Sequence, residues 1–122
     1  MERIKSFDDL IVFQRAYKAS LEIHQFSLLM PKVEQYGGIA DQIRRASKGI
    51  CANMAEGYGK QHVSKQEFKR YLSIATGSAN EVYLWLKYCV DLMYISTEQW
   101  RYYQNEYLEI AKMLTRLQQN WS

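Results

Sequence analysis

At 122 residues and 14.5 kDa the chain is the size of one domain, which on folding buries about two-thirds of the surface its unfolded form exposes. Its 48% apolar and 24% charged content, with ten Tyr, four Phe and three Trp, excludes an intrinsically disordered chain, and a formal charge of +3 by itself points to no class of partner. One Pro and six Gly are too few to punctuate a sandwich or barrel, so the composition favours long helices. No apolar run reaches the length of a membrane span. Cys51 and Cys89 form no CxxC pair and no secretory leader precedes them, so the expectation is a soluble, cytoplasmic protein.

Ser6 with Asp9 three residues on is a capping box, and the helix it opens is expected to run to about Leu29, before Pro31. Val12, Ala16, Ala19, Ile23 and Phe26 step by 4 and 3 along one stripe, which Leu10, Phe13, Tyr17 and Leu21 widen. After a turn from Pro31 to Gly38, Ile39, Ile43, Ala46, Ile50, Asn53 and Gly57 mark a second helix ended by Gly57 and Gly59. Its Ala40, Ser47, Cys51 and Ala55 are small and admit a close neighbour. A capping box at Ser64 and Glu67 opens the third helix, whose seam runs Phe68, Leu72, Ala75, Ala79, Val82, Leu86, Cys89, Met93. Gly77 within it marks a close contact or a bend. Another box at Ser96 and Gln99 opens the fourth, with Trp100, Tyr103, Tyr107, Ile110, Leu114, Leu117 and Trp121 facing inward. Short turns dictate antiparallel neighbours, so the spacing predicts an all-α, antiparallel up-down-up-down four-helix bundle, one domain over residues 1–122.

The charge is unevenly distributed. Residues 44–70 hold seven cations, Arg44, Arg45, Lys48, Lys60, Lys65, Lys69 and Arg70, against Glu56 and Glu67, with His62 in addition. Hairpin packing is expected to gather much of this segment near one end, where a polyanion can sit through its phosphates; a merely solvated helix face is the plainer reading. A second apolar row on the third helix, Tyr71, Ile74, Trp85, Tyr88 and Leu92, also needs a cover. Together with Tyr102, Tyr103, Tyr107 and Trp121 it suggests self-association, which would multiply the basic patch around an axis.

No catalytic centre is legible. His24 and His62 belong to no HExxH or ExxH pattern, and no Walker loop, GxSxG elbow or dinucleotide fingerprint occurs; GYGK at Gly57 to Lys60 is too short for a phosphate loop. Cys51 and Cys89 fall on helical stripes as core thiols. Asn53 is expected to hydrogen-bond across the bundle to Ser78, Asn80 or Glu81. The expectation is a non-enzymatic protein with no metal and no cofactor.

The runs QIRRASKGICANMAEGYGK (Gln42 to Lys60) and EFKRYLSIATGSANE (Glu67 to Glu81), with the opening SFDDLIVFQRAY, resemble the four-helix bundle proteins first named from intervening sequences in bacterial 23S rRNA. A related branch comprises the accessory variability proteins of diversity-generating retroelements, which pair with a reverse transcriptase. The resemblance implies a homopentameric ring with a basic surface or channel that binds RNA or DNA. Arg44, Arg45, Lys60, Lys69 and Arg70 match basic positions of the family pattern. Lys48 and Gly49 depart from it and add one cation, and CAN at Cys51 to Asn53 stands where a proline is common. Lys48 and Lys65 complete the candidate nucleic-acid-binding set from the charge count. The rival reading is a structural module whose basic face docks an acidic protein.

Overall fold

Ser6 and Asp9 do form a capping box, but it closes only one 3-10 turn, Phe7–Asp9. In the computed structural model, which describes residues 3–122, Leu10 then takes an extended conformation (φ −69°, ψ 126°) and helix α1 spans Ile11–Ser27. The expected helix from Ser6 to Leu29 is thus shorter at both ends. The break lets Leu10 reach the core, where it is buried. The inward stripe Val12, Ala16, Ala19 and Ile23 is buried as the spacing requires, with Phe26 packed beside it. Tyr17 and Leu21 do not widen it: each is 52% exposed, because their positions rotate past α2 towards solvent.

Helix α2 spans Ile39–Lys60, α3 Lys65–Asp91 and α4 Thr97–Asn120. Neither Gly57 nor Gly59 stops α2, which runs on through both. Gly57 is buried where α2 crosses α3, and a Cβ there would strike the Cβ of Tyr71 and lie 3.2 Å from Phe68 Cδ1. Its missing side chain serves helix packing, not termination. The Ser64 side chain accepts from the Glu67 N–H to start α3, and a complete Ser96–Gln99 box starts α4. The third helix ends two residues before the expected Met93. Tyr94 N–H donates back to Cys89 O (2.8 Å), Met93 takes φ 62°, and its side chain leaves the seam for solvent.

Contacts link α1 to α2, α2 to α3, α3 to α4, and α1 to α4. Ser27 meets Arg44 and His24 meets Lys48; Gly49 approaches Ser78 and Gly57 approaches Tyr71; Ser73 meets Gln118 and Tyr83 meets Trp100; Phe26 meets Tyr103 and Arg15 meets Met113. In each series rising numbers on one helix meet falling numbers on the next. The seam residues Ile43, Ile50, Met54, Phe68, Leu72, Val82, Leu86, Tyr107, Ile110 and Leu114 fill the space between, each large side chain contributing about 1.5–3 kcal/mol by leaving water. No strand occurs among the described residues, and no helix of theirs is long and apolar enough to cross a membrane.

Gly77 is not at a close contact, and Asn53 does not bond across the bundle. A Cβ at Gly77 would meet nothing within 4 Å, so the residue marks neither a close contact nor a crowded crossing in the single chain. Asn53 donates to Gly49 O of its own helix (2.7 Å) and makes no bond to Ser78, Asn80 or Glu81; its amide is taken up by the carbonyl one turn back.

Candidate functional site

The helical rise separates the basic segment into two groups. Arg44, Arg45 and Lys48 precede Lys60 by 12 to 16 residues along α2, about 18–24 Å of helix axis. They therefore lie towards the α1–α2 connection, while Lys60, Lys65, Lys69 and Arg70 flank the α2–α3 turn. The expected gathering near one end holds only for the second group.

The first group is largely occupied by protein. Arg44 Nη1 donates to Ser27 Oγ (2.9 Å) and Gln35 Oε1 (3.0 Å), and Nη2 donates to Gln35 O (3.1 Å), so the half-buried guanidinium clamps the connection from α1 to α2. Arg45, one position on, is exposed and pairs with Asp41 at 3.1 Å, which together with the Gly37 N–H holds the Asp41 carboxyl below its ordinary pKa. Lys48 Nζ lies 2.8 Å from His24 Nδ1 and donates when that nitrogen carries no proton. Partial burial, and then the Arg44 charge, hold the Lys48 ammonium below its usual pKa.

The second group is more open. Lys60, Lys65 and Arg70 are exposed and Lys69 half-buried, and among the described residues Lys60, Lys65 and Lys69 form no ion pair. Arg70 pairs with Glu67 (3.1 Å), a contact that keeps the Glu67 carboxyl well ionised by lowering its pKa. Tyr71 organises the set. Arg70 Cζ stands 4.8 Å and Lys60 Nζ 5.9 Å from its ring centroid, so one aromatic face system draws two cations from consecutive helices together. The Tyr71 hydroxyl donates to Glu56 Oε1 at 3.3 Å. Beneath lie Tyr58, Phe68 and Trp121, with Trp121 edge-on to Phe68 at 4.8 Å, which brings the C-terminal end of α4 against the start of α3. Exposed His62 and Val63 form the tip of the turn.

The arrangement can attract an anion and follow a phosphate backbone; it contains no nucleophile beside a base. Cys51 is half-buried and burial pushes its thiol up to about 11, while burial and then Glu34 push buried Cys89 to about 12. Among the described residues no group of three or more His, Cys, Asp or Glu side chains converges. The role of Tyr71 was absent from the sequence reading, which placed it only in an apolar row; a Tyr at one step from Arg70 and within a turn's reach of Lys60 was the available signal.

Residues 8–116 match the family described as 23S rRNA-intervening sequence protein. Among solved structures, the chain is similar to a protein of unknown function from the S23 ribosomal protein family of Bacteroides thetaiotaomicron, at 26% identity and a TM-score of 0.80, covering 90% of this chain and 96% of that one. No curated protein matches the chain. With a pattern that spans all four helices and a like-sized structural neighbour, the chain belongs to the 23S rRNA-intervening sequence protein family.

Proposed function

We propose that the protein is a non-enzymatic nucleic-acid-binding accessory: an up-down-up-down bundle that assembles with copies of itself into a homopentameric ring and holds RNA or DNA by its phosphates. The observation that carries the reading is the α2–α3 end, where Lys60 and Arg70 meet over the Tyr71 ring and Lys65 and Lys69 add two cations on the first turns of α3, with Glu56 and Glu67 as the anions of the same segment. A single copy offers too few phosphate contacts for tight binding; repetition around an axis multiplies them and with them the counterions released. Arg45 and Lys48 extend the surface along α2, whereas Arg44 holds the fold. The half-exposed row Ile74, Tyr88 and Leu92 on α3 supports self-association. The resemblance to retroelement accessory proteins supports a nucleic-acid-processing partner such as a reverse transcriptase, in the cytoplasm.

A salt titration of binding to single-stranded and duplex RNA and DNA tests it. Binding at low salt is expected to fall linearly on logarithmic axes, each of Lys60→Glu, Lys65→Glu and Lys69→Glu is expected to reduce the slope by about one per protomer engaged, and the quadruple variant including Arg70→Glu is expected to abolish binding. Absence of binding at low salt, or an unchanged slope in the quadruple variant, overturns the proposal. A protein ligand whose capture survives nuclease and is lost in that variant favours the rival, an acidic protein on the same face.

A further inference from the structure

At the α2–α3 end no nucleophile stands beside a base, but the packing of α1 on α2 creates such a pair. Lys48 Nζ and His24 Nδ1 are 2.8 Å apart, the lysine exposed and the histidine half-buried. Neither side chain forms an ion pair among the described residues. A carboxylate would fix the amine as an ammonium. An imidazole that accepts through Nδ1, with its own proton on Nε2, takes one N–H of a free amine and leaves the nitrogen lone pair open.

Arg44 completes the set. It stands one turn before Lys48 on the same face of α2, and its guanidinium donates only to the neutral acceptors of Ser27 and Gln35. No carboxylate cancels that charge, so it acts on the neighbouring amine in full. Partial burial, and then Arg44, lower the Lys48 pKa and raise the share of free amine near neutral pH. Ser27 faces Arg44 and His24 faces Lys48, one turn apart on each helix, so helix packing and not a loop sets the three groups together.

We propose that Lys48 is a site of Nε-acylation by acyl phosphates, with His24 as the base that takes the amine proton and Arg44 as the cation that draws the phosphate end. Lys48 Nζ attacks the acyl carbon and forms the amide bond. The bond from that carbon to the phosphate oxygen breaks, and inorganic phosphate leaves with the electron pair. Attack makes the nitrogen acidic, and its proton passes to His24 Nδ1 and from the imidazole to water. An acyl phosphate suits these residues because it joins an anion to an electrophilic carbonyl: the charge is attracted to Arg44 while the carbonyl meets the adjacent nitrogen. The amide product is neutral, so α2 loses a cation.

Mass spectrometry of the native protein during acetyl phosphate treatment tests this, with Lys65 as the internal reference because it is exposed and forms no ion pair among the described residues. At pH 7 the initial rate at Lys48 is expected to exceed that at Lys65 by about tenfold. The advantage is expected to shrink towards pH 10, where free amine is plentiful at both, and in acid, where a protonated His24 accepts nothing. His24→Ala is expected to lower the ratio of Lys48 to Lys65 by about tenfold with helical circular dichroism unchanged. Uncharged N-acetoxysuccinimide is expected to favour Lys48 less than acetyl phosphate does. Equal rates at the two lysines across the pH range overturn the proposal, and so does a preference for Lys48 that survives in folded His24→Ala. Equal preference with both reagents overturns the acyl phosphate as donor. If His24→Ala fails to fold, the wild-type pH profile decides. The effect on nucleic acid rests on the reading above and has its own measurement: in Lys48→Gln the salt slope of binding is expected to fall by about one per protomer engaged. A wild-type slope in that variant overturns this effect, absence of binding by the wild type overturns the reading, and the site occupancies judge acylation apart from both.

Discussion

The Arg44 guanidinium donates to three neutral acceptors of the α1–α2 connection, so its position is fixed by the protein rather than by any external anion. Lysine cannot span that set, since an ammonium has neither the planar fork nor the reach to bond Ser27 and both Gln35 oxygens at once. Arg44→Lys is therefore expected to cost about 1–3 kcal/mol in urea denaturation, with the salt slope of nucleic-acid binding unchanged. Lys65→Glu is expected to do the opposite, altering the slope and sparing stability. Two neighbouring arginines in QIRRA thus have different roles that the sequence presents as equivalent: Arg45 points to water with Asp41, and Arg44 points into the protein. The difference of 100° between consecutive helical positions separates them.

Between elements, the glycines show how helix packing decides what a residue is for. Gly57 and Gly77 are both interior to helices, and intrinsic propensity treats them alike, yet a Cβ meets Tyr71 and Phe68 at the first and empty space at the second. Gly57→Ala is expected to overpack the α2–α3 crossing and cost about 1–3 kcal/mol. Gly77→Ala is expected to gain about 1 kcal/mol from helix propensity alone. Opposite shifts of the urea midpoint would establish the contrast; the same sign at both positions would refute the packing account. The start and end signals divided the same way. Boxes at Ser64 and Ser96 mark true helix starts because each satisfies amides that the next turn leaves bare, whereas the box at Ser6 closes a single turn because burial of Leu10 outweighs continuing the helix.

Across the whole molecule the surface is polarised, cationic around Tyr71 at one end and apolar around Val33, Tyr36 and Met93 at the other. Cys51 lies midway along α2 and Cys89 in the last turn of α3, and both thiols are held protonated, Cys51 at about 11 and Cys89 at about 12, because burial disfavours the thiolate. The sign follows: a thiol whose pKa is raised by folding adds stability below the ordinary value of about 8.5 and loses it as pH climbs from there towards the folded values. Stability is accordingly expected to be flat from pH 6 to 8 with respect to these groups and to decline above about 8.5. Iodoacetamide at pH 8 is expected to modify Cys89 only in step with global unfolding, followed by mass spectrometry alongside circular dichroism across a urea series. Labelling that runs ahead of unfolding would contradict the buried setting.

Four helices, nearly all of their inward residues and the clustering of cations in residues 44–70 were legible from spacing, because a 3.6-residue period and a capping box are local properties that the chain carries in any context. What side of a helix reaches which neighbour is not local. Tertiary packing alone decided that Arg44 is a clamp, that Lys60 and Arg70 meet over Tyr71, that Gly57 is a crossing point, and that a loop of Leu, Val and Tyr turns outward. Each of these depends on distances between residues far apart in sequence, fixed when four helical faces settle their angles against one another, and no pattern within a single segment encodes them.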